Sequence, residues 1–290
     1  MSDFTAAWLA LREPVDHAAR SAALTRDLLG ALPPGELRIL DLACGTGSNL
    51  RYLRGQIVFL NTAINAERQE TRSDPDWLLV DHDPSLLALV PSAANVGVVE
   101  QDLRSLDTSL FDRRSLVTAS ALLDLVSESW LRTLVGRCRA QGAALLFALT
   151  YDGRITFEPI EPEDALVRDC VNRHQRTDKG FGPALGPSAV ARAVDLFRAA
   201  GYVVRTASSD WVLMRTSAPD ALQRELIDGW ADAARTIAPD QLSSIDEWRR
   251  KRRNHVASGR SILVVGHHDL AAVRSDDAGH ARLFAGSAAI

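Results

Sequence analysis

Residues 37–50, reading LRILDLACGTGSNL, constrain the fold more than any other stretch of this chain. An apolar run carrying Asp41 leads into Gly45-Thr46-Gly47 and then into a helix-competent segment. Glycine in such a turn lets the backbone pass close to a ligand with no Cβ in the way. A buried parallel strand, a tight glycine turn and a helix start are together the arrangement with which α/β proteins hold a nucleoside-containing cofactor. The spacing narrows the choice. A dinucleotide fingerprint has a third glycine three positions after the second, where helix, strand and pyrophosphate crowd together. Here that position is Leu50, which speaks against a pyrophosphate.

An alternation of strands and helices surrounds this turn. Residues 37–42 read as the first strand, 77–81 as the second, 96–100 as the third, 115–120 as the fourth and 143–149 as the fifth. Helices are expected at 84–90 and 129–139. Continuous apolar strands separated by helices predict a parallel sheet covered on both faces. Beyond the fifth strand the pattern loosens. A short hairpin at 151–159, a helical excursion with a loop at 162–182 and an amphipathic helix at 187–201 lead to a strand at 202–206. Helices at 218–238 and 244–257 and a last strand at 261–265 complete the reading. Upstream, residues 5–32 read as one helical segment stopped by Pro33-Pro34-Gly35. The tail 271–290 is small and polar, and is expected to fray.

The segment Leu40–Gly47 resembles motif I of the class I S-adenosylmethionine-dependent methyltransferases, in which the turn lies beside the methionine part of the cofactor. The resemblance covers about residues 36–265 by architecture and is motif-specific at 37–50, 77–84 and 101–103. It implies a Rossmann-like, seven-stranded, mostly parallel, doubly wound sheet, with the last strand inserted antiparallel. The expected layout is an N-terminal helical cap at 1–34, a methyltransferase domain at 35–272 and a flexible tail at 273–290. Insertions fall at about 55–76, 151–186 and 216–258.

The resemblance places Asp41, Ala43, Gly45 and Gly47 in the cofactor pocket. The two hydroxyls of a ribose are best gripped by one carboxylate at the end of the second strand. Val80-Asp81-His82-Asp83-Pro84 fits that place, with Asp81 as the carboxylate, His82 beside it, and Asp83 capping the next helix. Asp81 lies 34 positions beyond Gly47, whereas about 20 is usual, so 55–76 is read as an insertion. A rival strand at 57–60 ends at Asn61 and lacks the carboxylate. Gln101-Asp102-Leu103 resembles the segment whose aspartate binds the adenine amino group. Ser120 is expected near the transferred methyl. Arg20 is a candidate partner for the methionine carboxylate, provided that the N-terminal helix lids the pocket.

Methyl transfer is an in-line displacement, so positioning outweighs acid–base chemistry, and a base is needed only when the nucleophile must lose a proton. Absences therefore inform more. The segment after the fourth strand, Ser120-Ala121-Leu122-Leu123-Asp124, is not the Asn/Asp-Pro-Pro-Tyr of enzymes acting on exocyclic base nitrogens, and it has no Pro-Cys for cytosine C5 chemistry. Asp124 and Asp152 stand roughly where a metal-assisted catechol type carries carboxylates, but the likeness stops there and no metal is expected. The pair His267-His268 lies on a strand whose neighbouring residues point to opposite faces, which disfavours a shared ion.

Acceptor contacts are expected from segments over the carboxyl ends of the strands: Asp124, Tyr151, Asp152, and the polar run at 172–180 with His174, Gln175, Asp178 and Lys179. His174, Asp124 and Tyr151 are the catalytic candidates, with His174 the preferred base. The product would be S-adenosylhomocysteine, and the acceptor a small molecule with an O or N nucleophile. Two rivals stand beside this reading: an RNA methyltransferase using the basic run at 248–254, and a non-catalytic S-adenosylmethionine-binding protein. The net charge of −4 argues against a general DNA or RNA binder. No apolar stretch approaches the roughly 18 residues of a membrane span, and Cys44, Cys138 and Cys170 are scattered and odd in number. A cytoplasmic protein is expected; its oligomeric state cannot be read.

Overall fold

The computed structural model describes residues 5–33, 36–64, 73–214 and 217–276, together with Ala281 and Phe284. The strands β1 (Arg38–Leu42), β2 (Asp76–Asp81), β3 (Val96–Glu100), β4 (Leu116–Ser120) and β5 (Ala144–Glu158) pair in parallel in the order β3-β2-β1-β4-β5. The strand β8 (Ile262–Arg274) lies antiparallel between β5 and β6 (Tyr202–Ser208), and the short β7 (Trp211–Leu213) pairs with its first residues. This is the expected Rossmann-like sheet with an eighth strand added. β7 has three residues, too few to show a period in the sequence.

Helices cover the sheet. The faces are closed by α2 (Ala22–Ala31), α3 (Ser48–Ile64), α5 (Glu128–Gln141) and α7 (Ala189–Ala199). Coverage fails at one edge. The helix after β2, α4 (Pro84–Leu87), is only four residues long against the seven expected, and Val98 on edge strand β3 is 43% exposed. At the start of α5, Ser127 accepts from the Trp130 amide at 3.3 Å, and Gly142 closes the helix at φ +69°. Ser127→Ala is expected to lower stability by about 1 kcal/mol, read as a drop in the thermal midpoint.

Several expectations need correction. The N-terminal segment is two helices, α1 (Ala6–Ala19) and α2, because the chain turns extended at Arg20 and Ser21 caps the second. The rival strand at 57–60 lies inside α3, which absorbs part of the expected insertion; residues 65–72 lie outside the described residues. The hairpin at 151–159 is instead the continuation of β5, and the last strand runs nine residues beyond 265. So 271–274 belong to the sheet rather than to a tail. Further on, Phe284 is fully buried, with its carbonyl accepting from Arg205 at 2.8 Å.

The lengthened β5 and β8 form a ribbon that overhangs the carboxyl edge of the sheet. Ile155 to Glu158 pair with Val265 to Ile262 there. Against this ribbon pack α6 (Asp164–His174), α8 (Ser217–Ile237) and α9 (Leu242–Ala257), with Phe157 edge-on to both Trp230 and Trp248. A hydrophobic cluster thus stands beside the strand ends and supplies a wall and roof for whatever binds there.

Candidate functional site

The register brings the chemistry-bearing residues to one edge. Cys44 N donates to Val80 O at 3.1 Å, and Gln101 N donates to Asp81 O at 2.8 Å, so the segments leaving β1, β2 and β3 emerge side by side. Ala43, Gly45 and Gly47 all take positive φ, at 54°, 52° and 80°. Such backbone is strained for a side-chain-bearing residue, and the two glycines relieve it. Gly45 N donates to Asp81 Oδ2 at 2.8 Å, while Asp81 Oδ1 accepts from His82 N at 2.8 Å and Asp83 N at 3.1 Å. The carboxylate therefore ties the glycine turn to the end of β2.

The cap closes over the turn. Glu13 on α1 holds Arg51 with two bonds of 2.6 and 2.5 Å, and Arg51 donates to Thr46 O at 2.7 Å. Arg51 holds the Glu13 carboxyl below its ordinary range. Leu9 lies so near that a Cβ on Gly45 would meet its Cδ1 at 3.0 Å.

A cavity of about 620 Å³ opens at this edge, inside the range of small-molecule sites. One side is formed by Ala43, Gly45, Asn49, Asp81, Asp102 and Leu103. The other is formed by α1 (Leu9, Arg12, Asp16), by α6 and the turn after it (Val171, His174, Lys179, Phe181) and by Trp230 of α8. Asp102 is half exposed and pairs with Arg104, whose Nε lies at 2.6 Å; that pairing lowers its pKa. Leu103 is buried and its carbonyl accepts from the Trp130 indole at 2.6 Å. His82 is half exposed with Nδ1 3.3 Å from Asp81. Ser120 lies at the end of β4 and also lines the cavity.

The remaining candidates lie behind this surface. Asp41 is fully buried and accepts from Asn49 Nδ2 at 2.7 Å; burial raises its pKa to about 7. Gly47 sits at the helix start and does not line the cavity. Arg20 also does not line it. Because the chain bends at Arg20, its guanidinium turns inward, 3.9 Å from the Tyr52 ring centroid, and donates to Asn49 Oδ1 at 2.6 Å. Asn49 thus joins Arg20, Asp41 and Thr118 while facing the cavity. It went unnoticed in the sequence, where its only signal is its place in the first turn after the glycines.

Of the three catalytic candidates, only His174 lines the cavity. Tyr151 is buried, donates to Asn172 Oδ1 at 2.8 Å, and has its phenol pKa raised by burial. Asp124 is 5% exposed, and burial raises its pKa to about 6. Neither residue lines the cavity. His174 Nδ1 lies 3.3 Å from Lys179 Nζ. An ammonium has only donors, so Nδ1 accepts and the proton of the neutral ring sits on Nε2. Burial and the Lys179 charge both lower the His174 pKa and keep the ring neutral. That tautomer presents Nε2–H as a donor.

The basic run is internally neutralised. Arg249 and Arg253 pair with Asp228, Arg250 with Glu247, Lys251 with Glu161 and Glu163, and the fully buried Arg252 with Asp164. Among the described residues, no group of three His, Cys, Asp or Glu is placed to hold a metal ion, and no helix is long and apolar enough to cross a membrane.

No family model matches this chain and no curated protein matches it in sequence. Solved structures show weak likenesses. The YcgJ protein of Bacillus subtilis is 14% identical at a TM-score of 0.46, over 87% of this chain and 98% of that one. The cyclopropane synthase MmaA2 of Mycobacterium tuberculosis is 14% identical at 0.44, over 94% and 87%. An S-adenosylmethionine-dependent methyltransferase of Mesorhizobium loti is 18% identical at 0.38, over 91% and 99%. Likenesses this weak carry no argument about activity or ligand.

Proposed function

We propose that this chain is an S-adenosylmethionine-dependent methyltransferase acting on an O or N nucleophile of a small-molecule acceptor. The observation that carries the reading is the glycine turn, hydrogen-bonded through Gly45 N to Asp81 and facing the cavity beside it. The residues fit such a cofactor. Gly45 keeps the backbone bare at the cavity wall, Asp81 offers the ribose a carboxylate shared with three amides, and Asp102 and Leu103 stand beyond it for the adenine. When bound, S-adenosylmethionine supplies a methyl group on a sulfonium, an electrophile that needs a positioned nucleophile. The chain's own part is then to orient the acceptor and exclude water. The wall of α6 and α8 and the α1 cap serve that end.

Calorimetry with S-adenosylhomocysteine tests the reading. A dissociation constant on the order of micromolar is expected, and absence of binding at millimolar ligand would refute it. Methylated product from an acceptor panel then separates an enzyme from a binding protein that keeps only the nucleoside pocket.

A further inference from the structure

Three Lys or Arg side chains line the cavity, and two are already neutralised by carboxylates. Arg12 is held by Asp16 at 2.9 Å, and Arg104 by Asp102. Lys179 differs. Among the described residues it has no carboxylate within ion-pair distance, and its one hydrogen-bond partner is His174 Nδ1 at 3.3 Å. The neighbouring Asp178 also lines the cavity, but its Oδ1 is engaged by Gly180 N at 2.7 Å and Gly182 N at 3.0 Å. The nearest acidic influence is the buried Asp124, which does not line the cavity. An ammonium in no direct ion pair among the described residues, partly withdrawn from water, stands beside an imidazole whose Nε2–H is free to donate. The cavity lining beside them includes the apolar Val171, Phe181 and Trp230, together with the polar Gln175 and Thr177.

Two neighbouring donors, one of them a cation in no direct ion pair, recognise an anion, and the apolar residues beside them recognise the body that carries it. Resting on the reading of the cavity as a methyltransferase site, we infer that the acceptor is an anionic small molecule with an apolar, ring-sized body. Its carboxylate or phosphate sits on Lys179 and the His174 Nε2–H. Lys179 and His174 thus determine specificity and do not take the acceptor's proton.

The test uses the full chain, with and without saturating S-adenosylhomocysteine, and matched probes: benzoate against benzamide, and phenyl phosphate against phenol, titrated by ligand-observed NMR. Each acid is expected to bind on the order of tenfold tighter than its neutral partner, and the tighter of the two acids tells carboxylate from phosphate. In Lys179→Met the preference is expected to fall to near parity, with S-adenosylhomocysteine affinity and the thermal midpoint unchanged. Long-range proton–nitrogen spectra are expected to show His174 as the Nε2–H tautomer, shifting toward Nδ1–H in Lys179→Met. Equal binding of acid and neutral probe, no binding of any acid, a preference that survives Lys179→Met, or an Nδ1–H tautomer in the parent protein would each overturn the inference. Failure of S-adenosylhomocysteine to bind sinks the methyltransferase reading instead, and the acid preference is then read without it.

Discussion

Exchanging Asp81 for alanine is expected to weaken S-adenosylhomocysteine binding by at least about a hundredfold. Two charge-assisted hydrogen bonds to a ribose contribute roughly 1.5–3 kcal/mol each, and about 3 kcal/mol already exceeds two decades in affinity. The same carboxylate has a structural duty. It accepts from the amides of Gly45, His82 and Asp83, and it is 6% exposed. Its loss strands those donors, at a cost to stability on the order of 2 kcal/mol. The two effects separate by measurement. Calorimetry well below the thermal midpoint reads the ligand, and a melting curve reads the turn. Asp81→Asn keeps one acceptor oxygen and the side-chain volume, so it is expected to retain most of the stability while losing most of the affinity. Undiminished binding in a folded Asp81→Ala protein would remove the ribose role and, with it, the strongest residue-level support for the cofactor.

That aspartate was legible because strand and chemistry agree locally. A run of apolar residues ends in an acid, a capping Asp83 and Pro84, and a buried parallel strand admits few other readings. The glycine turn was legible for the same reason. What escaped depends on partners far away in the chain. The strand β8 reads as finished at Val265 because Gly266-His267-His268-Asp269 is polar, yet the fold gives that polarity partners. Asp269 accepts from Ser21 N at 2.8 Å and Leu149 N at 2.9 Å, pinning the start of α2 and the irregular point of β5 at once. Its sequence separation from both made this invisible. Arg20 points behind the cavity because the break between α1 and α2 is set by packing, with Ser21 as its faint local signal. His174 lines the cavity, and the direction of its ring N–H is fixed by Lys179 five residues later, a contact that only the turn after α6 creates. Asp124 and Tyr151 follow their strands as expected and still miss the cavity, because the overhanging β5–β8 ribbon and α6 bury them.

Replacing His267 by glutamine is expected to remove the loss of stability that this ring imposes on acidification. The ring is 6% exposed, donates from Nδ1 to Val265 O at 3.0 Å, and packs against Trp211 with centroids 5.0 Å apart. Burial, followed by the nearby Arg12 charge, lowers its pKa from 6.5 to about 3, against opposing pulls from Asp152, Asp210 and the Val265 carbonyl. The fold therefore holds the ring neutral. As pH falls through about 6.5 the unfolded chain takes up a proton that the folded chain refuses, so stability falls with it down to about pH 3. Between about pH 7 and 4.5 that is roughly 3 kcal/mol from this ring alone. Asp41 and Asp124 act in the opposite sense. With pKa values raised to about 7 and about 6, they keep protons in the fold that the unfolded chain releases above about pH 4, so acidification favours the folded state through that window. The parent curve is thus a compromise, and its slope alone decides little. Subtracting the His267→Gln curve from it cancels the two carboxyls and leaves the imidazole. Denaturant unfolding at several pH values should show the difference narrowing by about 3 kcal/mol from pH 7 to about 4.5. Parallel curves would mean that the ring reaches water or a hydrogen-bond acceptor in the folded protein, and that the cluster around Trp211 is less closed than its burial indicates.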